Sequence, residues 1–368
     1  MHTLQHQPHV QTLISVARRP SSIVSRLKCL LFHPPILYLY FVKFRTELSP
    51  SPFSVSIKHD HPILSIGSCF ANHILEKLRD YKFPVQVNPF GTTYNPLSIA
   101  DQLTAIHRKR VYDVVDLEKY RDSWISFDHH GSFASPTSKG AIDLISNRLE
   151  SAQNKVGKYR WTILSLGTAW AWFKEGKVVN NCHQIPEREF DFRLLSIDEM
   201  HKALSATISN WQESHPNHVF LITVSPVRHL RSGLMENNRS KARLLEVAHL
   251  LNDEFEFVHY YPSYELILDD LRDYRFYDHS LTHPSQQAIE YVWEHFQGTF
   301  FDSNTTNTLE SFDGFRKALY HRPRQTSGPA FDGHLKSLEK KFEAWIQRWP
   351  DADWREEKLR WNELIRMS

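Results

Sequence analysis

The stretch Pro62-Ile63-Leu64-Ser65-Ile66-Gly67-Ser68-Cys69-Phe70-Ala71 decides the fold, because a strand pattern changes into a helix pattern within it. Residues 63–66 form a short apolar run between a proline and a glycine, which is typical of a buried strand. The apolar residues that follow recur at three- to four-residue spacing, which is typical of a helix: Phe70, Ile74, Leu75 and Leu78. Ser68 therefore lies where a strand ends and a helix begins.

A serine at this position has two interpretations. The start of a helix presents unpaired N–H groups and a partial positive charge, which can stabilise an oxyanion beside a nucleophilic serine. Serine is also a common N-cap, with its hydroxyl accepting a hydrogen bond from a helix N–H group. The local pattern taken alone favours the N-cap.

Apolar runs alternate with helical patterns along the rest of the chain. The predicted strands, largely non-alternating as in strands covered on both faces, are residues 63–66, 161–166, 219–224 and 255–260. The predicted helices are residues 70–79, 141–156, 197–211, 241–251, 264–271 and 285–296. This alternation predicts an α/β fold in three layers, a parallel sheet with helices on both faces.

Two insertions are predicted to form small antiparallel elements. In the first, residues 124–128 and 132–134 flank His129-His130-Gly131. In the second, residues 170–173 and 177–179 flank Glu175-Gly176, which suits a hairpin turn.

The composition changes after residue 300. Residues 302–313 are rich in Ser, Thr and Asn, which predicts a linker. Residues 335–349 carry an apolar face at helical spacing, and residues 355–367 form a second, charged helical pattern. We expect residues 301–368 to be a helical extension that packs back on the core. Contact with another subunit, and so an oligomer, is the alternative.

Composition limits the classes of function. With 41% hydrophobic and 23% charged residues, the 368-residue chain is typical of a globular protein. A net charge of +2 excludes the broad basic field that nucleic-acid binding requires. Three cysteines are too few for a disulfide framework and indicate a reducing, cytoplasmic compartment. The histidines are scattered without zinc-type spacing, so no metal and no cofactor are expected.

Residues 1–43 combine basic residues with an apolar run, in the order found in export or anchoring signals. The run is interrupted by His33-Pro34-Pro35, has no small-residue cleavage site and is too short for a spanning helix. We therefore expect a dispensable leader and no membrane association, with a membrane anchor as the alternative.

Residues 67–71, Gly-Ser-Cys-Phe-Ala, resemble the sequence for which the GSCFA family is named. Further blocks resemble the family in the same order: residues 88–96, 166–170, 179–183, 223–228, 261–265, 273–277 and 283–285. The resemblance covers roughly residues 44–296 and is the basis for a hydrolase-like domain at residues 44–300. The family is similar to the SGNH/GDSL hydrolases, which cleave ester bonds with a serine after the first strand and a late histidine.

The resemblance implies an SGNH-like, flavodoxin-like sheet with Ser68 as nucleophile and His283 as base. His283 directly precedes the last predicted core helix, and Pro284 suits a first helical turn. SGNH enzymes place an acid three residues before the histidine, but that position is Ser280 here. Three alternatives stay open: Asp278 takes the role after a local shift, a backbone carbonyl orients the imidazole, or the site is a weakened dyad.

The oxyanion donors also depart from the SGNH pattern. The asparagine of its Gly-x-Asn-Asp motif is absent, because the matching strand end reads Gly-Thr-Ala-Trp from Gly167. Besides the Ser68 N–H group, the candidates for oxyanion or substrate binding are Gly91, Gly167, Asn180, Asn181 and Arg228. Turn caps for the asparagines, and an ion pair at the sheet edge for the arginine, are the structural alternatives.

The cysteines in the matching region have a structural interpretation first. Cys69 follows Ser68 at a helix start, where the pKa of a thiol falls, so it is an alternative nucleophile. Small buried cysteines are common core residues, and packing is the preferred interpretation for Cys69 and Cys182.

The sequence thus predicts a serine hydrolase of a small-molecule or carbohydrate ester, with an O-acetyl sugar as one substrate class. The main alternative is a binding or regulatory protein on a hydrolase fold, favoured by Ser280 and Ala169 at the positions of the expected acid and amide. Transfer of the acyl group to an acceptor other than water is the third hypothesis.

Overall fold

Strands and helices alternate through the part of the chain that the computed structural model describes, residues 44–322 and 326–366. The strands, numbered in chain order, are β1 (Ile63–Gly67), β2 (Val85–Val87), β3 (Glu118–Tyr120), β4 (Ser123–Ile125), β5 (Trp161–Leu166), β6 (Trp170–Lys174), β7 (Lys177–Val179), β8 (Asp191–Leu194), β9 (Val219–Val224) and β10 (Val258–Tyr261). The α-helices are α1 (Cys69–Asp80), α2 (Pro96–His107), α3 (Ser138–Gln153), α4 (Ile197–Ser214), α5 (Leu234–Glu254), α6 (Ser263–Glu265), α7 (Gln286–Phe300), α8 (Ser303–Tyr320), α9 (Pro329–Arg348) and α10 (Arg355–Arg366). The leader predicted at residues 1–43 lies outside the described residues.

Five strands form a parallel central sheet in the order β2-β1-β5-β9-β10. Counted along the chain, this is the order 2-1-3-4-5 of doubly wound, flavodoxin-like sheets. The chain leaves β1 towards β2 on one side and returns to β5 on the other, so the topological switch point lies between β1 and β5. We call the edge where the strands begin the amino edge and the edge where they end the carboxyl edge.

The three inner strands, β1, β5 and β9, are buried along their whole length, because their side chains alternate between two hydrophobic cores. Ile63 packs with α1 and α7 on one face, whereas Leu64 and Ile66 pack with α2, α3, α4 and α5 on the other. Helices therefore cover both faces of the sheet, which confirms the α/β class expected from the sequence.

The smaller antiparallel elements differ in part from the prediction. The hairpin of β6 and β7 forms as expected, and β8 joins it as a third strand. The prediction for residues 132–134 was wrong, since β4 pairs with β3 and meets the later segment at one bridge, Trp124 to Ser135. Residues Gly131–Phe133 form a 3-10 turn instead.

The polar segment 302–313 is helical, so the linker prediction was wrong for it. Asp302 caps α8 by accepting a hydrogen bond from the Thr305 N–H group at 2.7 Å. The apolar side chains of α8 then fall on one buried stripe: Leu309, Phe312, Phe315 and Leu319. The helix was not predicted because its first residues are mostly Ser, Thr and Asn, which are typical of linkers.

The helices of the C-terminal extension pack against the core. The Tyr81 hydroxyl donates to Asp313 at 2.9 Å, and Lys82 Nζ lies 2.8 Å from a Glu357 carboxylate oxygen. The extension is thus tied to the turn that follows α1. None of the helices in the described part of the chain is both long and apolar enough to cross a membrane.

Candidate active site

Ser68 bridges the two strands at the switch point. It holds the N-cap position of α1, yet its side chain makes no capping hydrogen bond. Ser68 Oγ instead shares a hydrogen bond of 2.8 Å with Ser165 Oγ at the end of β5, and the Ser68 N–H group donates to Ser165 O at 3.0 Å. The exposed fraction of Ser68 is 0%. The hydroxyl is therefore free of a capping role and held inside the carboxyl edge.

Gly67 permits this close approach of β1 and β5. Its φ angle is +147°, and a Cβ atom added there would lie 2.3 Å from Ser165 O. The Gly67 N–H group donates to Asn88 Oδ1 at 2.9 Å, and Asn88 Nδ2 donates to Asn72. The residue before Ser68 is thus fixed on both sides.

Further hydroxyls line the same edge of the sheet. Thr223 in β9 is the register partner of Ser165, and its hydroxyl is hydrogen bonded to that of Ser263 at the start of α6. The Ser263 hydroxyl also reaches Val224 O at 3.2 Å. These buried hydroxyls are therefore satisfied by hydrogen bonds within the protein.

His283 lies in an exposed loop tied to the end of β9. The Arg228 N–H group donates to Thr282 O at 3.2 Å, and the Asp278 N–H group donates to His283 O at 2.9 Å. His283 Nδ1 lies 3.0 Å from Thr282 Oγ1 and 3.3 Å from Ser280 Oγ. The described hydrogen bonds of Ser68 and of this ring go to different partners, so the structure does not join the predicted nucleophile to the predicted base.

Asp278 connects to His283 through Ser280, the residue at the expected acid position. Asp278 Oδ1 accepts hydrogen bonds from both the N–H group and the hydroxyl of Ser280. These bonds, and to a lesser extent the neighbouring imidazoles of His279 and His283, lower the pKa of the Asp278 carboxyl. The geometry forms a relay of carboxylate, hydroxyl and imidazole.

The predicted oxyanion donors have partners in this structure. The Ser68 N–H group is taken by Ser165 O, as above. The Gly91 N–H group donates to Asn88 O and the Gly167 N–H group to Tyr94 O, both at 2.8 Å. Each of these three N–H groups is therefore engaged within the protein.

The described side-chain hydrogen bonds of the two predicted asparagines go to residues other than Ser68. Asn181 Oδ1 accepts a hydrogen bond from the His183 N–H group at 2.8 Å, as in a turn cap. Asn180 lines a cavity of about 880 Å³ beside α2 and β7, and its amide oxygen is buried without a partner. Arg228 is half-buried beside the loop of His283.

Lys241 is the residue at this edge that the sequence analysis missed. Its Nζ atom is buried and donates to Gly167 O at 2.5 Å and to Ser225 O at 2.6 Å. Burial lowers the pKa of Lys241 to about 7, with Arg228 acting in the same direction and Cys69 against it. The signal was present, because Lys241 lies in register with Leu244, Ala248 and Leu251 on the buried stripe of α5.

The cysteines of the matching region are both half-buried. Burial raises the pKa of the Cys182 thiol to about 11, which keeps it protonated and unreactive at neutral pH. Cys69 interacts electrostatically with Lys241 and Tyr94. Across residues 44–322 and 326–366, no group of three or more His, Cys, Asp or Glu side chains is placed to hold a metal ion.

Solved structures of other proteins show a distant similarity to the chain. The chain resembles a family two carbohydrate esterase from Clostridium thermocellum, solved in complex with cellohexaose, with 12% identity. The match covers 72% of this chain and 67% of the esterase, with a TM-score of 0.28. That score is too low to support a conclusion about fold or activity. No curated protein matches the chain.

The match to a family model covers most of the described chain. The model of the GSCFA family matches residues 62–296, which begin at the proline before β1 and end within α7. The match spans all five strands of the central sheet, together with Ser68 and His283. Because it covers more than half of the sequence, the chain belongs to the GSCFA family.

Proposed function

We propose that this protein is an ester hydrolase of the SGNH type, with Ser68 as its nucleophile. The observation that carries the proposal is the position of Ser68 at the end of β1, at the switch point of a 2-1-3-4-5 sheet, with a hydroxyl that caps no helix. Ligands of open α/β sheets collect at such switch points. The family membership supports the same assignment.

The proposed reaction passes through an acyl-enzyme. Ser68 Oγ attacks the ester carbonyl carbon and gives its proton to His283. The ester C–O bond then breaks, and the leaving alcohol takes that proton. Water attacks the acyl carbon, returns a proton through His283 and releases the acid and free Ser68. Before the attack, the Ser68 hydroxyl must exchange its hydrogen bond with Ser165 for one with His283.

The relay from Asp278 supports His283 as the base. A base needs a neighbour that fixes its tautomer and stabilises the imidazolium that forms. Here Ser280 would have that role, because its hydroxyl links the imidazole ring to the Asp278 carboxylate, whereas SGNH enzymes use an acid that contacts the histidine directly. Positive charge nearby, from Arg228 and from Lys241 when protonated, favours the negative oxygen of the tetrahedral intermediate. We place O-acetyl groups of carbohydrates first among the substrates to screen.

A second candidate is a binding or regulatory protein on the same fold. The burial of the Ser68 hydroxyl and its bond to Ser165, rather than to His283, favour this alternative. Such a protein would use the carboxyl edge to hold a ligand without cleaving it.

Labelling with a fluorophosphonate probe tests the hydrolase. The proposal expects labelling of the wild type and its loss in both Ser68→Ala and His283→Ala, because the probe reacts only with an activated serine. Ser225→Ala is the matched control, since Ser225 is a buried serine at the end of a neighbouring strand. Labelling that persists in Ser68→Ala, or a folded wild type that never reacts, would contradict the hydrolase and favour the binding protein.

A further inference from the structure

A second concave site lies at the amino edge of the sheet, away from Ser68. Its floor comes from residues just before β1, β2 and β5, including Pro62, Pro84 and Tyr159. Its far wall comes from the C-terminal extension: Asn304, Thr305 and Thr308 of α8, and residues 348–353 at and beyond the end of α9. The cavity measures about 900 Å³, within the range of sites for small ligands.

Cationic side chains dominate the lining of this cavity. They are Lys58, Arg79, Lys82, Lys155, Lys158 and Arg348, against the carboxylates Asp60, Asp351 and Asp353. We call the site the basic cavity. Since the whole chain has a net charge of only +2, this is a local concentration of positive charge.

Within residues 44–322 and 326–366, most of these cations have no carboxylate partner. Lys82 is held by Glu357 at 2.8 Å, and Asp353 is occupied by hydrogen bonds from Arg355. Among the described residues, the other cations of the lining have no carboxylate oxygen within 4.0 Å: Lys58, Arg79, Lys155, Lys158 and Arg348. Like charges facing one concavity repel each other, and a bound anion would remove that cost.

A stack of three rings lies beside the cavity. The ring of His59 stacks between Phe83, with centroids 3.9 Å apart, and Trp349, with centroids 4.3 Å apart. Burial lowers the pKa of His59 to about 4, so the ring is neutral at pH 7, and its Nε2 atom donates to Tyr81 O at 3.0 Å. The stacked rings connect the core to the extension and hold Arg348 beside the cavity.

We propose that the basic cavity binds a small molecule carrying two or more phosphate groups. Lysine ammonium groups bind phosphate as point charges, and arginine adds a bidentate donor. The cationic side chains line one concave cavity rather than following a stripe, which favours a compact polyphosphate over a nucleic-acid strand. This inference is independent of the activity of Ser68.

Calorimetric titration of the full chain with inorganic tripolyphosphate tests the proposal. We expect binding at about physiological ionic strength that weakens as salt is added, because exposed charges are screened. We expect the dissociation constant to rise about tenfold or more in the double variant Lys155→Gln/Lys158→Gln. The exposed pair on α9, Lys340→Gln/Lys341→Gln, is the matched control and should bind like the wild type.

Three outcomes would overturn the proposal. They are absence of binding to the wild type, equal weakening by the cavity pair and the control pair, and tighter binding of a short single-stranded RNA than of tripolyphosphate. Thermal melting of each variant checks that it folds. Lys58→Gln, from a different segment of the lining, should also weaken binding, so the test does not depend on one pair of residues.

Discussion

The two edges of the central sheet differ in how far their polar side chains are buried and paired. At the carboxyl edge, the side chains of Ser68, Ser165 and Lys241 are buried and hydrogen bonded within the protein. At the amino edge, lysines such as Lys155 and Lys158 are exposed around a cavity, and no carboxylate of the described part of the chain pairs with them. The polar side chains of the first edge are buried and paired with one another, whereas the lysines of the second edge are exposed to solvent.

The largest expected effect tests how tightly the carboxyl edge is built. Gly67→Ala should lower the free energy of unfolding by about 4 kcal/mol, because its Cβ atom would overlap Ser165 backbone atoms at a φ angle that L-residues avoid. Urea denaturation measures this change. Gly314→Ala is the control, because it lies in open space on α8 and should stabilise the protein by about 0.5–1 kcal/mol. Equal effects would refute the tight packing of β1 against β5.

The second-largest expected effect concerns the ion pair that ties the C-terminal extension to the amino edge. Glu357→Ala should cost about 3 kcal/mol, because it leaves Lys82 without its buried partner. Limited proteolysis should then cut the C-terminal extension, and tripolyphosphate binding should weaken with the loss of the cavity wall. Glu356→Ala, one residue earlier and exposed, should change the free energy of unfolding by less than about 0.5 kcal/mol. If both variants released the extension, the Lys82–Glu357 ion pair would not be what holds it in place.

Lys241→Met tests the buried charge of the carboxyl edge. At pH 9 we expect a loss of about 2 kcal/mol, because two buried carbonyls lose their donor. The pKa of Lys241 is about 7 when folded and near 10.5 when unfolded, so the unfolded chain binds more protons between these values. Wild-type stability therefore rises with pH across this window, and the loss in the variant should shrink as the pH falls towards 7.

Denaturation of both proteins between pH 6 and pH 10 measures that dependence. Lys202→Met on α4 is the control, since Lys202 is exposed and should leave the stability difference flat with pH. A flat profile for Lys241→Met as well would show that the lysine is not a buried, shifted group.

The smallest effect concerns the relay to His283. If Ser68 hydrolyses an ester, Ser280→Ala should lower kcat about tenfold with little change in KM, because the relay orients the base and does not bind substrate. Ser285→Ala, which removes only the cap of α7, is the control for this loop. Unchanged kcat in Ser280→Ala would leave the ring oriented by Thr282 alone.

Much of the fold could be predicted, because the buried apolar residues of a strand or a helix recur at a regular spacing in the sequence. The four predicted strands are present, and two of them, β5 and β9, keep the same bounds. The three-residue strand β2 was missed because it is too short to show a period. Helix α2 was missed because its polar start, Asn95-Pro96, reads as a turn pair, although Asn95 caps the helix there.

The candidate site could be predicted less well, since contacts across the sheet leave no local pattern. Nothing near Ser68 in the sequence indicates that its hydroxyl meets Ser165. The relay through Ser280 depends on the loop conformation, which composition does not determine. The burial of Lys241 could have been predicted, because a lysine on the apolar stripe of a helix must find hydrogen-bond partners inside the protein.

The central place of β1 also has a consequence for how the chain is made. β1 leaves the ribosome early, but its neighbour β5 is encoded far downstream, with Ser68 and Ser165 separated by 97 positions. At synthesis rates of 5–20 residues per second, β1 waits about 5 to 20 seconds for that neighbour. During this interval an apolar strand has one side unpaired, and chaperones that bind extended apolar segments would find it there.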